Sequence, residues 1–134
     1  MNIYLAARYE RREELNAYAT DLARHGHHVI SRWIRGEHEF VNTETDIIRY
    51  ALEDCEDLIA ADMVISFTEE PRSGHSRGGR HVEFGLAVAF GKKLCVVGYR
   101  ENVFHYLPEV AFFQTWKDCL ESLTKPRETA RAGA

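Results

Sequence analysis

The chain has 134 residues, 45% of them hydrophobic and 28% charged, which suits one globular domain whose core needs no staples. A net charge of −4 argues against a general attraction to nucleic acid polymers or to an anionic membrane, and no apolar run is long enough to cross a bilayer. Three cysteines without metal spacing, and no signal-peptide pattern, lead us to expect a reducing, cytoplasmic setting.

In chain order, Ile3-Tyr4-Leu5-Ala6-Ala7 reads as a short buried strand. Glu10 to Arg24 carries Leu15, Tyr18, Ala19 and Leu22 at the spacing of one helical face, and Gly26 stops it. His28-Val29-Ile30-Ser31 predicts a second strand, and the polar, aromatic stretch from Arg32 to Asn42 predicts a loop near the site. Thr43 or Thr45 caps a helix to about Ala60, with Ile47, Ile48, Ala51, Leu52, Cys55 and Leu58 on one face. Met63 to Phe67 is apolar throughout, as a strand covered on both faces should be, and Cys95 belongs to a similar strand, Leu94 to Gly98.

Between those strands lie a long polar loop, Thr68 to Gly79, and a small-residue helix, His81 to Phe90. A fifth strand at Ala111 to Phe113 and a helix from Thr115 to Leu123 follow. The domain is expected over 1–124, with 125–134 a flexible tail. Alternating strands and helices predict an α/β fold: one three-layer domain with a five-stranded parallel sheet, flavodoxin- or Rossmann-like, in order 2-1-3-4-5. The ends of strands one, three and four then converge on one crevice, where such folds bind ligands.

No Walker loop is present and no GxGxxG follows the first strand. His75 and His81 are six apart across a loop, a weak metal pattern, so no metal or cofactor is expected. Carboxylate chemistry remains. Glu83 follows Gly78-Gly79-Arg80-His81-Val82 at the start of a helix on the crevice edge, where a lone carboxylate is a candidate nucleophile. The plainer reading is a carboxylate complementing the helix dipole. Asp54 faces Glu83 if its helix packs over the crevice; by its neighbours Glu53, Glu56 and Asp57 alone it reads as a solvated helix residue. Two acids flanking a glycosidic bond are the usual means of cleaving it, and Tyr4 could hold the nucleophile's rotamer.

These residues carry a resemblance. Ile3-Tyr4-Leu5, Asp54 followed eight residues on by Asp62 and its strand, and the block from Val82 to Lys92 are similar to the nucleoside 2-deoxyribosyltransferases and their relatives, the deoxynucleoside 5′-monophosphate N-glycosidases. The resemblance spans roughly residues 2 to 120. It implies an enzyme that cleaves the N-glycosidic bond of a 2′-deoxynucleoside or its 5′-monophosphate. Glu83 matches the nucleophile, Asp54 the carboxylate that contacts the base and assists proton transfer, and Tyr4 the tyrosine that orients the nucleophile. Asn102 matches an Asn that binds the sugar hydroxyl from a neighbouring subunit, so a homo-oligomer is implied.

The loop before Glu83 departs from the family. It is long and basic, with Arg72, Arg77 and Arg80, and lacks the acidic residue with which the transferases bind nucleosides. Arg8, Ser73, Ser76, Arg77 and Gly79 would suit a 5′-phosphate through guanidinium groups and backbone amides. Alternatively the arginines solubilise a mobile lid. Transfer to a second base is the expected reaction, with hydrolysis the alternative. From other classes, a nucleotide-sensing module would use the same crevice without needing Glu83 for chemistry, and an interaction protein would dock a partner through its basic loop. Trp33, Phe40, Phe104, Tyr106 and Phe112 read as exposed aromatics that could serve an interface; Trp33 and Phe40 could equally line a base pocket.

Overall fold

The structure, a computed structural model, describes residues 1–36, 43–73 and 78–124. Its elements are β1 (Asn2–Ala6), α1 (Arg12–Arg24), β2 (His28–Val29), α2 (Glu44–Ala60), β3 (Met63–Phe67), α3 (Gly79–Ala89), β4 (Lys93–Val97), β5 (Val110–Phe113) and α4 (Trp116–Thr124). Short 3-10 turns occupy Tyr9–Arg11, Arg32–Arg35 and Val103–Tyr106. The five strands form one parallel sheet in the order β2-β1-β3-β4-β5, as expected. The expected tail, 125–134, lies outside the described residues.

The continuous apolar runs are central strands because both of their faces are covered. Ile3 to Ala6 and all of β3 are buried, as are Leu94 to Val97. Leu15 and Leu22 of α1 are fully buried, each side chain stabilising the fold by about 2 kcal/mol. On that side of the sheet Tyr18 stacks between Phe67 and Trp116, with ring centroids 5.3 and 4.6 Å away. β2 is shorter than its sequence suggests. After Ile30 bonds to Ile3, the Ser31 hydroxyl takes the Leu5 amide and the chain leaves the sheet.

Three expectations change. Trp33 is not an exposed aromatic: it is buried, and its Nε1 donates to the Leu5 carbonyl at 2.8 Å. Phe112 is half-buried against the core, whereas Phe104 and Tyr106 are exposed, and Phe40 lies outside the described residues. Arg80 is not a loop residue. Gly78, at φ 93°, turns the chain so that α3 begins at Gly79, and this buries Arg80 in the first turn.

The apolar face of α2 is the largest surprise. Thr43 caps this helix by accepting from the Asp46 amide, as predicted. Yet Ile47, Ile48, Leu52 and Ile59 are each more than half exposed, and Ala51 and Cys55 are exposed too. α2 is seated instead by Leu58 and by Asp57, which accepts from the Arg32 amide at 2.9 Å and from Arg32 Nε at 3.0 Å. No described helix is long and apolar enough to cross a membrane.

Candidate functional site

The order β2-β1-β3 reverses the direction of winding between β1 and β3, opening a crevice at their carboxyl ends. Tyr4 enters from β1 and is fully buried. Asp54 comes from the third turn of α2, and Glu83 from the second turn of α3, which packs against both α2 and β1. Tyr4 and Glu83 stand side by side, and Asp54 is near enough for its charge to reach both. Glu83 and Asp54 are the leading charged neighbours acting on the Tyr4 hydroxyl, and Asp54 is the charge that acts on Glu83.

The carboxylates are poorly served by their surroundings. Glu83 Oε2, Asp54 Oδ1 and the Tyr4 hydroxyl are all sealed from solvent without a hydrogen-bond partner. Tyr4 stands close enough to favour ionised Glu83, but stops short of a closed bond. Burial, then the Asp54 charge, push Glu83 up to about 8. Burial, then Asp57 and Glu53, push Asp54 up to about 7, with Arg32 opposing. Burial also raises the Tyr4 phenol, so it stays a hydrogen-bond donor. Oxygens left unpaired in a resting protein are the pattern of groups whose partner arrives from outside.

The expected anion-binding residues are distributed differently. Arg8 Nε lies 3.2 Å from Glu69, which follows β3. Gly79 opens α3 with free space beside it. The Ser73 amide donates to the Glu70 carbonyl at 2.9 Å. Ser76 and Arg77 lie outside the described residues. Asn102 caps the turn Val103–Tyr106 by accepting from the Phe104 amide, and its Nδ2 is 3.4 Å from His81 Nδ1.

Glu101, after β4, is a hub that no sequence motif marks. It takes Arg80 bidentately, with Nη2 at 2.8 Å, accepts the Glu69 amide at 2.7 Å, and lies 3.5 Å from His81. Its own amide donates to Nδ1 of buried His105. Burial would push Glu101 up, but the hydrogen bonds from Arg80 and Glu69 outweigh it and hold it below the usual range. Glu101 thus ties the first turn of α3 to the ends of β3 and β4. Gly98 permits this crossing: its φ of +116° and the Thr68 hydroxyl 3.0 Å from any added Cβ leave no room for a side chain. The available signal was position, since Glu69 and Glu101 each follow closely on a predicted central strand.

No family model matches the chain, and no curated protein matches it. Solved structures do. A 2-deoxyribosyltransferase from Bacillus psychrosaccharolyticus superposes with a TM-score of 0.72 over 95% of this chain and 99% of its own, at 20% identity. The chain shares that enzyme's fold. A CMP N-glycosidase from Clostridium botulinum shares that fold, with a TM-score of 0.61 over 92% of this chain and 98% of its own, at 21% identity. So does a conserved protein from Enterococcus faecalis V583, with a TM-score of 0.59 over 90% and 95% of the two chains, at 16% identity. At such identities the likeness carries the architecture alone, and the reaction has to be argued from the side chains.

Proposed function

We propose that this protein is an enzyme that cleaves the N-glycosidic bond of 2′-deoxynucleosides or their 5′-monophosphates and passes the deoxyribosyl group to a second base. The observation that carries the reading is that Tyr4 and Glu83 lie side by side within reach of the Asp54 charge, with one oxygen of each of the three buried and unpartnered. A structural role needs no such set. The 2-deoxyribosyltransferase and CMP N-glycosidase among the structural neighbours add support at the level of chemistry in the same fold.

Two raised carboxylates, one of which feels the other's charge, hold about one proton between them near neutral pH. At rest that proton sits mainly on Glu83, whose value is the higher, and the reactive form is the less populated one with the proton on Asp54 and the charge on Glu83. Glu83 attacks the anomeric carbon, the C–N bond breaks with its electron pair going to the base, and Asp54 delivers its proton to a base nitrogen. Tyr4 donates to Glu83 and fixes its rotamer. The glycosyl-enzyme bond then breaks on attack by a second base, whose proton returns to Asp54. Attack by water gives hydrolysis instead.

We further propose that two copies associate through the exposed aliphatic face of α2, whose four large residues an isolated chain would leave in water. The deciding experiment is base release from deoxynucleosides and their 5′-monophosphates, with and without a second base, for native chain and Glu83→Ala. Exchange that is lost in the variant supports transfer, and free base without exchange supports hydrolysis. Cleavage that survives in Glu83→Ala refutes the assigned nucleophile.

A further inference from the structure

The segments that follow the neighbouring strands β1 and β3 carry a second cluster that the chemistry above leaves unused. The Glu69 carboxylate lies between two guanidinium groups from the segment after β1: Oε1 is 3.2 Å from Arg8 Nε, and Oε2 is 2.9 Å from Arg11 Nη1. Its side chain is only 13% exposed, and its backbone is pinned by the bond from its amide to Glu101. Arg11 is engaged again by Glu14, at 2.9 and 2.7 Å, and Arg80 by Glu101. Each of these guanidinium groups already faces a carboxylate, although Arg8 Nε closes no hydrogen bond with it, and Glu69 sits where an incoming anion would sit.

That arrangement bears on the 5′ end of a substrate. A phosphate dianion arriving at Arg8 would have to displace a buried carboxylate or stand beside it, and like charges in a partly desolvated site repel strongly. A 5′-hydroxyl meets no such obstacle, because a carboxylate accepts its proton. Arg72 offers no substitute: its side chain is 93% exposed, and its ion pair among the described residues is with Glu70, at 3.9 Å.

We propose that Glu69 is a specificity-determining residue, a charge gate that closes the Arg8–Arg11 corner to a 5′-phosphate and selects substrates with an uncharged 5′-hydroxymethyl group. The inference rests on the nucleoside-cleaving reading and narrows it to free 2′-deoxynucleosides, against the expectation drawn from the basic loop.

The test is calorimetric binding of a deoxynucleoside, its 5′-monophosphate and inorganic phosphate to the native chain, Glu69→Gln, and the double variant Arg8→Met/Glu69→Gln. The native chain should bind the nucleoside at least about tenfold more tightly than the monophosphate. Glu69→Gln keeps the shape but leaves the two arginines short of one charge. It should shift that ratio toward the monophosphate by about tenfold or more and gain affinity for inorganic phosphate, and the double variant should lose that gain. A native chain that prefers the monophosphate overturns the proposal without any variant. So does a Glu69→Gln ratio within about twofold of native, even where both forms cleave nucleosides. If Glu69→Gln gains inorganic phosphate while no form binds a nucleoside, the gate stands and the nucleoside reading falls.

Discussion

Glu83→Gln should make this protein more stable at alkaline pH while abolishing its activity. Burial and Asp54 raise the Glu83 carboxyl from 4.5 to about 8 in the folded chain. The folded state therefore holds a proton that the unfolded chain releases between those values. By linkage, the contribution of this group to stability is fullest below pH 4.5 and declines as pH rises toward 8. The shift corresponds to a cost of about 1 kcal/mol at pH 5, about 3 at pH 7 and about 5 above pH 9. Glutamine cannot ionise, but it leaves a buried amide short of partners, at about 1 kcal/mol. The variant should then match native or fall slightly below it at pH 5, and exceed it by about 3–4 kcal/mol at pH 9. Urea unfolding of both forms at pH 5, 7 and 9 reads this directly. Part of the decline should persist in the variant, because Asp54 is itself raised to about 7. A native midpoint that does not move between pH 5 and 9, or a variant less stable at pH 9, would refute the claim that Glu83 is held against its preferred ionisation.

The other expectations concern the same neighbourhood. Activity should follow a bell in pH with apparent limbs near 7 and 8, since the pair works with one proton; a rate that is flat from pH 5 to 9 would contradict this. Tyr4→Phe should lower kcat by roughly tenfold to a hundredfold, yet leave stability equal or about 1 kcal/mol higher, because the hydroxyl it removes is buried and unpartnered. Asp57→Asn should cost about 1–3 kcal/mol in thermal unfolding by weakening the bonds from Arg32, and should move the lower limb of the pH profile down, since Asp57 helps raise Asp54. Leu52→Glu should convert a dimer to a monomer in sedimentation velocity; an unchanged assembly state would place the contact elsewhere.

How far the sequence could be read differs from element to element. Met63 to Phe67 was legible to the residue, because a strand covered on both faces tolerates no polar alternation and the constraint is local. α2 was legible as a helix, cap included, but not in its orientation. An apolar stripe at helical spacing states that a face will be buried, and says nothing of whether its own core or another molecule buries it. Arg80 shows the same limit. Beside Gly78 and Gly79 it reads as part of a basic loop, and it became a buried partner of Glu101 only because Gly78 starts α3 early enough to turn it inward. Trp33 was misread because its indole finds a partner in the Leu5 carbonyl, 28 residues away.

For the site, the sequence by itself determined the chemical types: a tyrosine on the first strand, and carboxylates on the helices before and after the third. It also determined the strand order that sends them to one edge, through alternating periodicity and the chirality of parallel crossovers. Tertiary structure alone decided their surroundings. Whether Asp54 is solvated or raised to about 7 depends on which side of α2 meets α3, and whether Arg8 awaits an anion depends on Glu69, some 60 positions later, reaching back to it. Ionisation and charge pairing are set by distance and solvent exclusion, and both arise only when residues remote in the chain are packed together.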